Sequence, residues 1–292
     1  MKRFFTILFL FLSLSTFAKK VEVVEISTKF GSIYIVLYKD TPKHSKNFLK
    51  LAKKGFYDKT TFHRVIKGFM VQGGDPYTAR PDKKDSIGEG GPGYTLPAEI
   101  KYMHKRGVLA AAREGDVVNP KQESSGSQFY IVHGKKFTDQ ELNGAEDRIN
   151  GWLKENIFYK ILYRKVNEKD QKAYLRCYIA GRKDSVNYIT AKYAREVDSI
   201  WNTKTKFKFS AEEREIYKTV GGAAHLDRNY TAFGEVVGGM DVVDKIADVK
   251  KGTRDKPLED VAMTVKVLKM SLAEFKSRFG MDVPDGQIIK KK

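Results

Sequence analysis

The sequence predicts a mainly β protein, an antiparallel barrel interrupted by a mostly helical segment. Three observations lead there. Short runs of alternating apolar and polar residues, bounded by Gly, Pro, Asp or Asn, recur through residues 20–134 and again through 220–270. Only two helical patterns accompany them, which fits an antiparallel barrel. Residues 135–219 break the pattern with helix signals instead of strand signals.

In chain order, residues 21–27 and 31–37 alternate as strands around a turn at 28–31. Thr41 then reads as a helix cap, with Pro42 suited to the first turn. Phe48, Leu49 and Ala52 give that helix an apolar face, and Gly55 ends it. Strands are expected within 60–75, at 107–112 and at 128–132. They are separated by a Gly- and Pro-rich loop at 76–95 and a polar loop at 113–125. In the helical segment, Thr138 with Glu141 and Ser210 with Glu213 form capping boxes, and Gly221-Gly222 closes the last helix. Its aromatics, including Trp152 and Trp201, argue for order. A second barrel helix near 241–249 and a strand at 261–269 follow. Residues 271–292 read as an amphipathic tail with a basic end.

The chain has 292 residues and is 41% hydrophobic, enough for a packed core. Its 54 basic and 36 acidic residues leave a net charge of +18. The basic residues are spread along the chain and no nucleic-acid module is present, so a solvated basic surface accounts for the charge. Lys2 and Arg3, the apolar run 4–14 and Ala18 read as a signal peptide over residues 1–18, which places the mature protein in the periplasm or outside the cell. With Cys177 as its single cysteine, the chain has no internal disulfide. His44, His104, His133 and His225 show no ligand spacing, so neither a metal nor another cofactor is expected.

The run Phe62-His63-Arg64-Val65-Ile66-Lys67-Gly68-Phe69-Met70-Val71-Gln72-Gly73-Gly74-Asp75 stands out. Arg64 and Val65 alternate as in a strand, Gly68 permits a turn, and an apolar floor and an amide follow. With Gly88-Glu89-Gly90-Gly91-Pro92-Gly93-Tyr94, Gly107-Val108-Leu109-Ala110, Gly126-Ser127-Gln128-Phe129-Tyr130-Ile131 and Phe233-Gly234-Glu235-Val236-Val237, it resembles the cyclophilins in motif and order. The resemblance covers residues 22–134 and 220–270. It implies a closed eight-stranded antiparallel barrel capped by two helices, with 135–219 inserted.

It also implies peptidyl-prolyl cis/trans isomerase activity. Arg64, Gln72 and Phe69 match catalytic positions. His63, Met70, Gly88, Ala112, Arg113, Gln128, Phe129, Tyr130, His225 and Leu226 match substrate-binding positions. On their own, Arg64 reads as a surface arginine and Phe69-Met70 as core; the surrounding motif gives them their roles. Tyr130 stands where phenylalanine is more usual, and Lys67 where proline is frequent. His225 stands where many relatives carry tryptophan, which puts binding of cyclosporin-type macrocycles in question. Arg113 departs from a small neutral run and is expected to alter preference for the residue before proline. The expected partners are proline-containing polypeptides, unfolded exported proteins above all.

The roots of 135–219 follow Gln128 and Tyr130 and precede His225 and Leu226, so both are expected at the groove's edge. The segment's 19 basic and 13 acidic residues and its aromatics suit a surface for unfolded chains; passive decoration is the other reading. For the whole chain, the alternative to an isomerase is a non-catalytic peptide-binding chaperone or an envelope scaffold on the same barrel. The complete set Arg64, Phe69, Met70, Gln72 and Gln128 favours the enzyme.

Overall fold

The computed structural model describes residues 20–284 and the backbone of 289–290. The expected signal peptide, residues 1–18, and the last two lysines lie outside the described residues. The strands and first helix run β1 (Lys20–Thr28), β2 (Gly31–Leu37), α1 (Pro42–Lys53), β3 (Arg64–Ile66), β4 (Met70–Gly73), β5 (Thr95–Leu96), β6 (Val108–Ala111), β7 (Ser124–Ser125) and β8 (Phe129–Val132). Four helices follow, α2 (Asp139–Leu162), α3 (Glu168–Ile179), α4 (Lys183–Asn202) and α5 (Ala211–Thr219). The chain then returns through β9 (Ala232–Gly238), α6 (Met240–Ala247), β10 (Thr264–Ser271), α7 (Leu272–Phe279) and β11 (Ile289–Lys290). No described helix is long and apolar enough to cross a membrane.

The main sheet is ordered β10-β1-β2-β9-β6-β8-β4-β3, with every neighbour antiparallel and β11 added beside β1. Its path therefore holds eight strands. Its ends, β10 and β3, form no ladder with each other. The segments leading into them exchange three backbone bonds: Lys59 N–H to Met263 O at 3.0 Å, Met263 N–H to Thr60 O at 2.8 Å and Phe62 N–H to Val261 O at 3.0 Å.

The strand pleat sends alternate residues to opposite faces. Val24, Ile26, Ile33, Ile35, Val65, Val71, Leu109, Phe129, Ile131 and Phe233 point inward to one core. Helix α1 adds Phe48, Leu49, Leu51 and Ala52 to it, and α6 adds Val242, Val243, Ile246 and Ala247. On the other face of β1 and β2, Val21, Val23 and Val36 are covered by Phe275 of α7. The expected amphipathic tail thus folds as a helix, started by a capping box of Ser271 and Glu274.

The capping boxes of Thr138 with Glu141 and Ser210 with Glu213 open α2 and α5 as the sequence predicts. Thr41 differs. Its side chain makes no cap bond and faces Tyr38 O and the Ser45 hydroxyl. The α1 N-terminus is instead covered by the Glu99 carboxylate, which accepts from the Lys43 and His44 N–H groups at 3.1 Å each and lies 2.8 Å from His44 Nδ1. A negative group there suits the helix dipole. The 76–95 loop is ordered by two short 3-10 turns, Pro76–Ala79 and Pro81–Ser86, and by the β5–β7 pairing.

Candidate functional site

The β3–β4 hairpin turns at Gly68, whose φ of +77° suits glycine. It places Arg64 opposite Gln72, and the β4–β8 pairing places Gln72 opposite Tyr130. Alternation therefore brings Arg64, Met70, Gln72 and Tyr130 to the outer face, with Gln128 one pleat before Tyr130. Val65, Val71 and Phe129 go to the core.

A chain of amides crosses this face. Gln72 Nε2 donates to Gln128 Oε1 at 3.2 Å, and Gln128 Nε2 donates to Gly88 O and Gly90 O at 2.8 Å each. The glycine loop is held from below by the fully buried Asp75, which accepts from Tyr77 N–H at 2.7 Å and from the Gly88 and Gly90 N–H groups. Gly74 lets this turn approach β8: a Cβ there would lie 2.4 Å from Ser127 O. A cavity of about 700 Å³ opens beyond the amides, walled by Gln72, Gln128, Ala112, Tyr94, Glu114 and Glu123 among others.

Arg64 is exposed, its side chain 44% accessible, and its Nε stands 3.9 Å from Asp255 Oδ2. The guanidinium keeps donors in hand beyond that long pair. Asp255 and the preceding Arg254 both hold positive φ, +58° and +56°. Such backbone persists in non-glycine residues only where the surroundings impose it, and here it presents a carboxylate to Arg64.

On the same side as Arg64 lies an apolar cluster. Met70, Tyr130 and Leu226 are buried there with Ala110, Ala223 and Ala232; Phe69, Ala112, Tyr230 and Trp152 are half-buried against them. The His225 ring packs on Phe69 at 5.2 Å between centroids and meets the Trp152 edge at 6.4 Å. Burial first, then the nearby Arg148 cation, pushes the His225 imidazole down to about 4, so it is neutral at pH 7. The Tyr130 hydroxyl, which has no hydrogen-bond partner among the described residues, is pushed up by burial.

Leu226 is set by a buried polar cluster. The Tyr217 hydroxyl of α5 donates to Asp227 Oδ2 at 2.7 Å. His104 N–H and Nδ1 meet Asp227 Oδ1 at 2.7 and 2.9 Å. The roots of the helical segment close just there, with Lys135 and Lys105 each bridged to Gly222. Helix α2 then runs along the groove, packing on residues 224–226 and donating from Asn156 Nδ2 to Pro120 O at 3.2 Å.

The structure thus brings together Arg64, Phe69, Met70, Gln72, Gly88, Ala112, Gln128, Tyr130, His225 and Leu226. Three expectations are corrected. Phe129 is in the core against Phe48 and Tyr57, because the pleat turns it away from its neighbours Gln128 and Tyr130. His63, matched to a substrate-binding position, is 7% exposed, and burial lowers its pKa. Arg113 is structural: its guanidinium lies 2.6 Å from Asp116 Oδ1, donates to Asn229 O and Oδ1 at 3.0 and 2.6 Å, and stacks on Tyr230 at 4.7 Å. It builds part of the cavity wall.

Sequence reasoning missed Tyr230, Trp152, Asp75 and Asp255. Tyr230 and Asp75 were visible as an aromatic four residues past Leu226 and the acid that closes the signature run. Trp152 and Asp255 come from remote segments that no local pattern connects to Arg64.

The family model for "Cyclophilin type peptidyl-prolyl cis-trans isomerase/CLD" matches residues 23–161 and 203–267. A peptidyl-prolyl cis-trans isomerase of Helicobacter pylori is 40% identical over 116 residues, which cover 38% of this chain and 63% of that one. One of Synechococcus elongatus is 42% identical over 110 residues, 37% of this chain and 66% of that one. A Staphylococcus epidermidis protein is 28% identical over 241 residues, 82% of this chain and 88% of that one. The chain thus spans less than two thirds of the first two relatives and most of the third.

Proposed function

This chain belongs to the cyclophilin-type peptidyl-prolyl cis-trans isomerase family, and we propose that it catalyses rotation about peptide bonds preceding proline in polypeptides. The observation that carries the reading is the single face on which Arg64, Gln72 and Gln128 lie beside the apolar cluster of Met70, Phe69, Tyr130 and Leu226.

Resonance opposes rotation by about 18–20 kcal/mol, and uncatalysed exchange before proline takes on the order of tens to hundreds of seconds. No bond breaks and no proton moves. The enzyme needs only to favour the twisted amide, whose proline nitrogen regains its lone pair. Met70, Phe69, Tyr130 and Leu226 grip the ring in a poorly hydrated site. Gln72 and the 112–113 backbone hold the preceding chain, and Gln128 keeps Gln72 in register. The Arg64 guanidinium donates to the developing lone pair and stabilises the twisted state over the planar one.

We further propose that the eight-strand path closes into a barrel through 59–62 and 261–263. The protein is exported behind residues 1–18 and acts on exported polypeptides, a reading supported by the basic start and apolar run of that segment.

The test is Arg64→Ala in a protease-coupled assay on a tetrapeptide containing one proline. Removing a transition-state donor in an enclosed site costs about 10²–10³ in rate; Arg64 is partly solvated, so a loss of at least about tenfold in kcat/KM is expected. Unchanged turnover in a folded variant would refute the assignment.

A further inference from the structure

Trp152 and Arg148 belong to α2, outside the motifs that build the groove, yet they reach its rim. Trp152 packs half-buried against the cluster of Met70, Tyr130 and Leu226 and turns its edge to His225. Arg148 lies one turn earlier on the same helix face, its guanidinium 5.0 Å over the indole.

Several cations of this helical layer are matched. Lys135 pairs with Glu141 at 2.7 Å, Lys154 with Asp198 at 2.7 Å, and Lys208 and Arg214 share Glu146 at 2.9 and 3.0 Å. Arg148 is exposed and has no ion pair among the described residues. Asp147 precedes it in sequence but lies about 100° away around the helix. Further along the groove the cavity carries Glu89, Glu114 and Glu123, while its arginine, Arg113, is neutralised by Asp116. The charge that α2 offers at this rim is therefore the single unpaired guanidinium of Arg148, on the same groove as those glutamates.

We propose that Trp152 and Arg148 form the far wall of the substrate groove and select polypeptides that carry an acidic residue flanking the proline. The indole covers apolar chain beside the proline ring, and the guanidinium, held over that indole, meets the carboxylate. The inference rests on the isomerase reading for the occupant of the groove, but its test does not depend on turnover.

In a Trp201→Phe background Trp152 is the sole tryptophan, so its emission reports on this wall alone. Five-residue peptides without aromatics, with one proline and Glu, Gln or Lys placed before or after it, are titrated at low salt. In one of the two placements, Glu binds about two- to fivefold tighter than Gln and Lys binds more weakly than Gln, the range expected of a solvated ion pair. The order reverses in Arg148→Glu and the difference vanishes in Arg148→Gln. High salt weakens the preference. An unmoved Trp152 emission, or a Glu-over-Lys order unchanged by Arg148→Glu, overturns the proposal. A protein that isomerises the peptides without these responses loses this inference and keeps the isomerase reading. One that shows them without turnover loses the isomerase reading and keeps the acidic selection.

Discussion

Tyr217→Phe and Tyr57→Phe delete the same atom from two equally buried rings, and the structure sets opposite outcomes. Both side chains are 0% exposed. The Tyr217 hydroxyl donates to Asp227 Oδ2 at 2.7 Å and accepts from His104 N–H at 3.0 Å. Removing it leaves the ring packed on Phe137 and Phe209 but strips a buried carboxylate oxygen of its donor. His104 N–H keeps its bond to Asp227 Oδ1, so only one charge-assisted bond is lost. Such bonds contribute about 1.5–3 kcal/mol. At roughly 2–4 °C per kcal/mol for a domain of this size, the melting point should fall by roughly 3–12 °C. The Tyr57 hydroxyl has no partner among the described residues, so deleting it relieves a desolvated dipole and should be neutral or stabilising. Thermal unfolding followed by circular dichroism reads both. Because Leu226 adjoins Asp227, Tyr217→Phe should also raise KM for a proline peptide more than it lowers kcat. A Tyr217→Phe variant within about 0.5 kcal/mol of wild type, or a Tyr57→Phe variant that loses as much as Tyr217→Phe, would refute the reasoning.

Three other outcomes follow from the same geometry. Gly90→Ala would set a Cβ 1.9 Å from Asp75 Oδ1; the loop must shift, at a cost of roughly 1–3 kcal/mol, and Gln128 loses its carbonyl anchors, so kcat/KM should fall with stability. His225, held neutral down to about 4, takes up its proton in the unfolded chain near pH 6.5 but in the folded one only near 4; stability is thus lost as pH falls through that window, and His225→Phe should flatten the loss by roughly 2 kcal/mol between pH 7 and 4.5 in denaturant titrations. Expressed with residues 1–18 in a secreting host, the chain should lose them, and intact mass of the exported fraction checks this; a full-length chain retained in the cytoplasm would refute export.

What the sequence made legible was local. The alternation of Arg64 and Val65 and the turn at Gly68 are encoded within a few residues and fold as read. So are the boxes of Thr138 and Ser210, where cap and partner lie three residues apart. Ser271 with Glu274 has the same signature and was equally readable. Thr41 misled because its helix is capped from Glu99, more than fifty residues away. Phe129 misled because a motif matched as a string ignores the pleat: period two alone sends it opposite Gln128 and Tyr130. The Gln72–Gln128 pair and the Arg64–Asp255 approach exist only after the sheet has formed, so no spacing announces them.

The helical segment is where local reading stopped short, and its wiring changes how its role has to be tested. Both rims of the groove lean on it. One is held by Asn156 on Pro120 O and by the Tyr163 hydroxyl on Val117 O at 2.7 Å; the other by Tyr217 on Asp227 beside Leu226. Replacing residues 137–217 with a linker would remove all three anchors together with Trp152 and would uncover Ala224, which packs against Leu142 and Ile149. Activity on a tetrapeptide and on a refolding protein would then fall together, whether or not the segment binds chains. Passive decoration would leave the rims standing without it, and these three anchors are what such a test has to keep. Substitutions that keep the anchors and change only the exposed face, such as Arg148→Glu, are the ones able to separate a part that holds the groove's shape from one that chooses what enters it.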